Sequence, residues 1–304
     1  MLKPVYLSCL VILVLLSTGL LLKAEEITTP ANIRVVRVAG IINPVLADFI
    51  SVELDTANNG NARAFLIELD TPGGLDSSMR DIIQKILASK IPVIVYVYPS
   101  GARAASAGAL ITLAADFAAM APGTNIGAAH PVSIGVGGSG DSEQGKTVME
   151  KVVNDAVAYA RSLAEQKGRN RDWAEQNVRD SISTAAQEAL QLKAIGLIAT
   201  DEQDLLKKLD GRTYLRNGEA RKLVTRGAVL SYAEMTWRQE IFNTLSDPNV
   251  AYMLLMLGIL GIFFEISQPG VILPGAIGSL ALLLAFLGFQ TLPVNYIGVL
   301  LILL

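Results

Sequence analysis

The sequence predicts an α/β domain built on a mostly parallel sheet, followed by transmembrane helices. Three observations predict it. Short apolar runs bounded by turn residues alternate with helical segments between residues 30 and 210, the pattern of a sheet covered on both faces. Two of the junctions that end those runs are made almost entirely of the smallest residues. The apolar excess of the chain, 51% hydrophobic with a mean hydropathy of +0.43, is concentrated at its two ends.

At the N-terminus, Tyr6 to Leu22 is nearly uncharged, comes after Lys3 and ends in Lys23-Ala24, which reads as a signal peptide or uncleaved signal anchor over residues 1–24. Lys3 and the free amine favour a cytoplasmic start, against Lys23 on the far side, so the domain beyond residue 30 is expected to be extracytoplasmic. Cys9, the one cysteine, lies in this segment. The rest of the chain therefore has no disulfide, no thiol nucleophile and no cysteine metal site.

Strands are expected at Ile33–Ile41, Ala64–Leu69, Pro92–Tyr98, Phe117–Met120 and Ile195–Ala199. Helices are expected at Pro44–Ala57, Ser77–Ala88, Ser106–Ala114, Thr147–Lys167 and Ala185–Leu192. The glycine-rich stretch from Gly135 to Gly145 reads as a loop able to close over a site. A β appendage is expected from Arg212 to Val229, and Tyr232–Leu245, with Trp237 and Phe242, suits a helix at the membrane surface; together they fill residues 211–245.

From Gln239 onward there is no lysine or arginine. Tyr252–Ile266 and Val271–Phe289 are of membrane-spanning length, joined by Ser267-Gln268-Pro269-Gly270. Glu265 is costly in lipid and is expected at the interface or against another helix. A third run, Tyr296–Leu304, is too short to span, so the multi-pass membrane region at 251–304 reads as truncated. A net charge of −3 and a pI near 5.4 give no reason to expect nucleic acid.

The chemistry gathers at Pro99-Ser100-Gly101-Ala102-Arg103-Ala104-Ala105-Ser106-Ala107-Gly108, between an apolar strand and a helix. Ser106 is a hydroxyl walled by residues with almost no side chain, next to helix-start N–H groups that can stabilise an oxyanion. Thr71-Pro72-Gly73-Gly74 is a second strand-to-glycine turn. Two backbone donors from separate loops are what acyl transfer needs, and the pair suggests a serine hydrolase.

The base is open at this level. His130, the one histidine, lies about two dozen residues beyond Ser106, and Asp180 can serve as its orienting acid. Lys151 can serve if it is held neutral. Asp155, one turn on, equally suits an ordinary i,i+4 ion pair with it. Gly140-Asp141-Ser142-Glu143-Gln144-Gly145-Lys146-Thr147 matches the P-loop pattern, and Asp70 ends an apolar strand as a nucleotide-site acid does. Two carboxylates in that loop oppose phosphate, and the residues before it make a poor strand.

Asp70-Thr71-Pro72-Gly73-Gly74, Ser100 to Gly108 and Ala121-Pro122-Gly123-Thr124-Asn125-Ile126-Gly127-Ala128 resemble the NfeD family of membrane-bound serine proteases, related to ClpP and signal peptide peptidase A. The resemblance runs on through Asp247-Pro248-Asn249-Val250-Ala251-Tyr252 and Pro269-Gly270 to Pro274-Gly275, nearly the whole chain. It implies a crotonase/ClpP-like spiral of ββα units and a Ser-Lys dyad. Ser106 would be the nucleophile, and the base would be Lys151, in Lys151-Val152-Val153-Asn154. The Gly74 and Ala107 N–H groups would form the oxyanion hole, and Gly73 with Gly74 would bind substrate. His130 with Asp180 is the alternative base and acid.

The resemblance further implies a homodimer of the soluble domain, cleavage of apolar segments in a stomatin/prohibitin-like membrane protein, and no metal or cofactor. The alternative of another class is a non-catalytic membrane scaffold that assembles stomatin/flotillin-like proteins.

Overall fold

The strand Val93-Ile94-Val95-Tyr96-Val97 is buried on both faces, as a central strand of a parallel sheet must be. In this computed structural model, residues 31–132, 143–216, 218–268 and 272–290 are described. The expected signal segment, residues 133–142, which hold most of the glycine-rich stretch from Gly135 to Gly145, and the third apolar run lie outside the described residues.

The elements run β1 (Asn32–Ala39), α1 (Pro44–Asn59), β2 (Ala62–Asp70), α2 (Asp76–Ala88), β3 (Val93–Val97), β4 (Arg103–Ala105), α3 (Ala107–Ala114), β5 (Phe117–Met120) and β6 (Asn125–Gly127). They continue with α4 (Glu143–Gln166), α5 (Arg171–Arg179), β7 (Ser183–Ala185), α6 (Ala186–Gln191), β8 (Leu197–Ile198) and α7 (Glu202–Leu209). The last part holds β9 (Thr213–Arg216), β10 (Glu219–Lys222), β11 (Val229–Ala233), α8 (Trp237–Leu245), α9 (Pro248–Ser267) and α10 (Ile272–Gln290).

A six-stranded parallel sheet has the order β11-β1-β2-β3-β5-β8. A second, small sheet has the order β4-β6-β7. The chain visits them in turn: β3, β4, α3, then β5, β6, α4. The first two turns of the spiral abbreviate this, for Ile42 bridges Gly74 and Thr71 bridges Ala104 where the small strands would be. The glycine turn after β2 therefore occupies the second-strand position of its unit, beside the junction that carries Ser106. This is the expected spiral of ββα units.

One core lies between the sheet and α1 to α5, with Phe49, Ile83, Leu113 and Trp173 buried in it. A second packs Ile33, Leu66 and Tyr96 against Leu205, Leu209 and Leu223 on the opposite face. The glycine turn and the start of α3 border the first core.

Four differences from the expected elements have physical causes. The three-residue strands of the small sheet are too short to show a period. α5 and α7 are short and polar. α4 begins at Glu143, earlier than expected, so Gly145-Lys146-Thr147 lie in its first turns, while Asp70 Oδ1 accepts the Arg103 N–H at 3.0 Å. Beyond α7, β9 and β10 form a two-stranded antiparallel hairpin, but β11 returns to pair in parallel with β1 at the edge of the main sheet.

α8 starts with a capping box at Thr236 and Gln239 and exposes Trp237, Ile241 and Phe242. The Asn43 side chain caps α1 through the Leu46 N–H at 2.9 Å and donates to Asn243 Oδ1 at 2.8 Å, joining α8 to the domain. α9 and α10 are long and apolar enough to cross a membrane. They pack backbone to backbone, since a Cβ on Gly261 would lie 2.7 Å from Gly278 Cα. Glu265 faces the partner helix, its carboxylate accepting the Gly275 N–H at 3.1 Å.

Candidate active site

Ser106 sits between β4 and α3 at φ 52°, ψ −114°, a backbone region that non-glycine residues rarely adopt. The surroundings hold it there: its N–H donates to Gly127 O at 2.9 Å and its carbonyl accepts the Ala109 N–H at 3.0 Å. It occupies the N-cap position of α3, yet its hydroxyl makes no cap hydrogen bond. The hydroxyl is thus presented to a cavity rather than used up by the helix.

The facing turn is stitched on both sides. Thr71 donates its N–H to Arg103 O at 2.7 Å and accepts from the Ala105 N–H at 3.0 Å, which ties the turn to β4. Its buried hydroxyl accepts the Gly73 N–H and donates to Gly73 O, both at 3.0 Å. On the other side Ile42 donates to Gly73 O at 2.8 Å and accepts from Leu75 at 2.9 Å. The Gly74 N–H is left on the opposite side of the extended chain. Among the described residues it has no acceptor, and neither has the Ala107 N–H in the first turn of α3.

Both glycines are required sterically. Gly73, at φ +123°, would place a Cβ 2.8 Å from Ser106 Cβ, and Gly74 would place one 2.1 Å from Ile42 O.

Gly74, Ser106, Ala107 and Lys151 line one cavity of about 580 Å³. Its walls are otherwise largely apolar, with Met79, Leu110, Ala129 and Val152 among them. The charged residues that share it with Lys151 are Asp76, Arg80 and Asp155. The i,i+4 pair between Lys151 and Asp155 that the spacing suggested is not formed. Asp155 instead accepts from Arg80 Nη2 at 2.6 Å, while Arg80 Nε donates to Asp76 at 2.8 Å and the guanidinium lies over the Tyr159 ring at 4.6 Å. Burial works against the Arg80 charge, but the hydrogen bonds and charges of the two aspartates outweigh it and raise its pKa. Among the described residues Lys151 has no ion-pair or hydrogen-bond partner.

No hydrogen bond or ion pair joins the alternative base and acid among the described residues. His130 Nδ1 lies 3.0 Å from Val178 O, so a backbone carbonyl stands where a triad would put a carboxylate. Asp180 caps the end of α5 with its backbone and is exposed. Thr71 and Arg80 were not singled out in the sequence. The Thr-x-Gly spacing of a side chain that closes its own turn was the available signal for Thr71. Arg80 contacts Asp155 across 75 positions, and no local pattern announces that.

Comparison with known proteins places the chain in a family. The family model described as the N-terminal domain of NfeD1b matches residues 32–211, and that of the NfeD integral membrane domain matches residues 249–304. A membrane-bound protease of Pyrococcus horikoshii is 38% identical over 287 residues, covering 93% of this chain and 64% of that protein. The membrane protein NfeD1b of Bacillus subtilis is 31% identical over 307 residues, 96% of this chain and 65% of that one. The chain thus spans just under two thirds of the length of both.

A solved membrane-bound stomatin-specific protease, a lysine-to-alanine mutant in complex with a substrate peptide, aligns with a TM-score of 0.64 at 36% identity, covering 70% of this chain and 96% of that one. A membrane protease specific for a stomatin homolog, from Pyrococcus horikoshii, aligns with a TM-score of 0.60 at 36% identity, covering 71% and 99%. On the match of its N-terminal domain alone, more than half its length, the chain belongs to the NfeD family.

Proposed function

We propose that the chain is a membrane-anchored serine endopeptidase that uses Ser106 as nucleophile and Lys151 as general base. The observation that carries this is one cavity lined by a strained serine, two N–H groups from separate segments and a lysine, the N–H groups without acceptors and the lysine without a partner among the described residues. The names of the relatives, protease in one and stomatin-specific protease in another, agree with it.

Neutral Lys151 Nζ removes the proton from Ser106 Oγ as the oxygen attacks the scissile carbonyl carbon. The carbonyl oxygen takes up negative charge and receives the Gly74 and Ala107 N–H groups. The Lys151 ammonium returns the proton to the amine as the C–N bond breaks, leaving an ester on Ser106. Lys151 then deprotonates a water that attacks the ester, and serine is regenerated. The apolar walls suit an extended apolar segment, and we read the substrate as that of the solved relative, a stomatin-like membrane protein.

Gly73 and Gly74 would receive the substrate backbone. The protease domain would span residues 30–210, act as a homodimer, and lie outside the cytoplasm behind the N-terminal segment, with α9 and α10 as membrane spans of a multi-pass region. Ser106→Ala and Lys151→Ala are each expected to lower cleavage of an apolar peptide by 10³-fold or more, the usual order for removing a member of a catalytic set. His130→Ala is expected to leave it within about threefold. Cleavage that survives both of the first two changes sinks the dyad, and binding of the partner without any hydrolysis supports the scaffold instead.

A further inference from the structure

Lys151 and Asp155 stand one helical turn apart, the spacing at which lysine and carboxylate pair most readily on a helix. A paired lysine stays an ammonium, and an ammonium cannot accept the Ser106 proton. The pair is nevertheless absent, because Asp155 is engaged by Arg80 from α2 at 2.6 Å. Arg80 is itself fixed, by Asp76 at 2.8 Å and by the Tyr159 ring beneath it at 4.6 Å, so its guanidinium is aimed rather than free to wander.

We propose that Arg80 is a positioning residue for the general base: by holding the Asp155 carboxylate, it keeps Asp155 from pairing with Lys151 and leaves the lysine free to take the serine proton. This deepens the endopeptidase reading and rests on Lys151 being the base. The geometry supports it from every side of the cavity. α2 contributes Asp76 and Arg80, and α4 contributes Asp155. Among the described residues, the start of α3 and the segment after β6 line it with uncharged groups, Ser106, Leu110, Ala129 and Pro131 among them. From α5, Arg179 reaches Asn154 at 3.5 Å rather than Lys151, and His130 is turned to Val178. Asp155 is thus the carboxylate within helical reach of Lys151, and Arg80 already occupies it. The same contact ties α4, which carries the base, to α2, which comes directly after the oxyanion turn.

The test is the pH dependence of kcat/KM for the full chain in detergent, with a quenched fluorescent apolar peptide that the parent protein cleaves. Arg80→Ala and Arg80→Gln are expected to move the acidic limb up by about one pH unit, a tenfold loss on that limb, as the released Asp155 pairs with Lys151. Arg80→Gln keeps part of the stem over Tyr159 and guards against a simple folding defect. Adding Asp155→Asn to either is expected to bring the limb back, and Arg80→Lys to hold it near its parental place.

Asp155→Asn alone is expected to leave the limb where it is. A limb that does not move in either Arg80 variant, or that stays displaced in the double variant, overturns the proposal. So does a limb that falls by a unit in Asp155→Asn, since Asp155 would then already act on the lysine. Lys151→Ala separates the two readings: parental activity there overturns the base itself, whereas an inactive Lys151→Ala beside an unmoved Arg80→Ala limb overturns the role of Arg80 alone.

Discussion

Replacing Gly73 by alanine tests whether the serine is held to catalytic tolerance by its neighbour's missing side chain. The new Cβ would lie 2.8 Å from Ser106 Cβ and 3.3 Å from its hydroxyl oxygen. Two carbons rest at roughly 3.5–4.0 Å, so about 1 Å of separation must be found. A rotamer change cannot supply it, because a Cβ moves only with its backbone, and Ser106 is already at φ 52°. The glycine's own φ of +123° adds about 1–3 kcal/mol of strain for an alanine.

A misplacement of about 1 Å at a reacting group costs on the order of 10²-fold in rate. Gly73→Ala is therefore expected to lower kcat for peptide cleavage about a hundredfold and to lower the melting temperature by several degrees. Gly101→Ala is the matched control: its φ is +91°, but nothing lies within 4 Å of the added carbon. It should lose comparable stability and keep kcat within about threefold. A Gly73→Ala enzyme with near-parental kcat, or a Gly101→Ala enzyme equally slowed, would refute the steric argument.

Two further outcomes are expected. Burial, then the neighbouring Glu202 carboxylate, pushes Glu68 up to about 7 against the hydrogen bond from Arg37, and among the described residues its Oε1 is buried without a donor. The folded chain thus binds this proton more tightly than the unfolded one, and the associated stability, present in full below the ordinary carboxylate range, is lost as pH rises through about 7. Glu68→Gln should flatten that loss, so that thermal melts match the parent near pH 4 and exceed it near pH 8. Equal melts at pH 8 would contradict this. Thr71→Val keeps the shape but removes the hydroxyl that the Gly73 N–H needs; the expected cost is about 1–3 kcal/mol in denaturant unfolding with a fall in kcat of about tenfold, and an unchanged kcat would detach Thr71 from the site.

The central strands β2, β3 and β5 of the large sheet were legible because each is built on a continuous apolar run closed by turn residues, and burial on both faces removes the need for alternation. Ser106 was singled out from its setting, a hydroxyl among alanines and glycines between a buried strand and a helix, a setting that equally suits a small packing residue; its backbone at φ 52° and the facing glycine turn emerge only from the fold. Lys151 was not legible from spacing. Its neighbour at i+4 suggested an ion pair, and only a contact with Arg80, distant in sequence, decides otherwise. The proposal of Lys151 as base came from the resemblance to the family, since helical geometry left it open. β11 was missed because Val229-Leu230-Ser231-Tyr232-Ala233 is short and shows no strand period, and its pairing depends on β1, almost two hundred positions earlier.

That late return of β11 sets an order of events for a chain made from its N-terminus. β1 is among the first parts of the domain to be synthesised, yet its outer edge is not covered until Val229–Ala233 has been made, immediately before α8 and the membrane helices. Until then a long, mostly apolar strand carries open N–H and C=O groups, the kind of edge that recruits other strands. Completion of the sheet and synthesis of α9 are therefore nearly simultaneous. A soluble form cut at residue 211, where the match to the N-terminal domain ends, would keep that edge open for good, whereas one carried through Ala233 would close it.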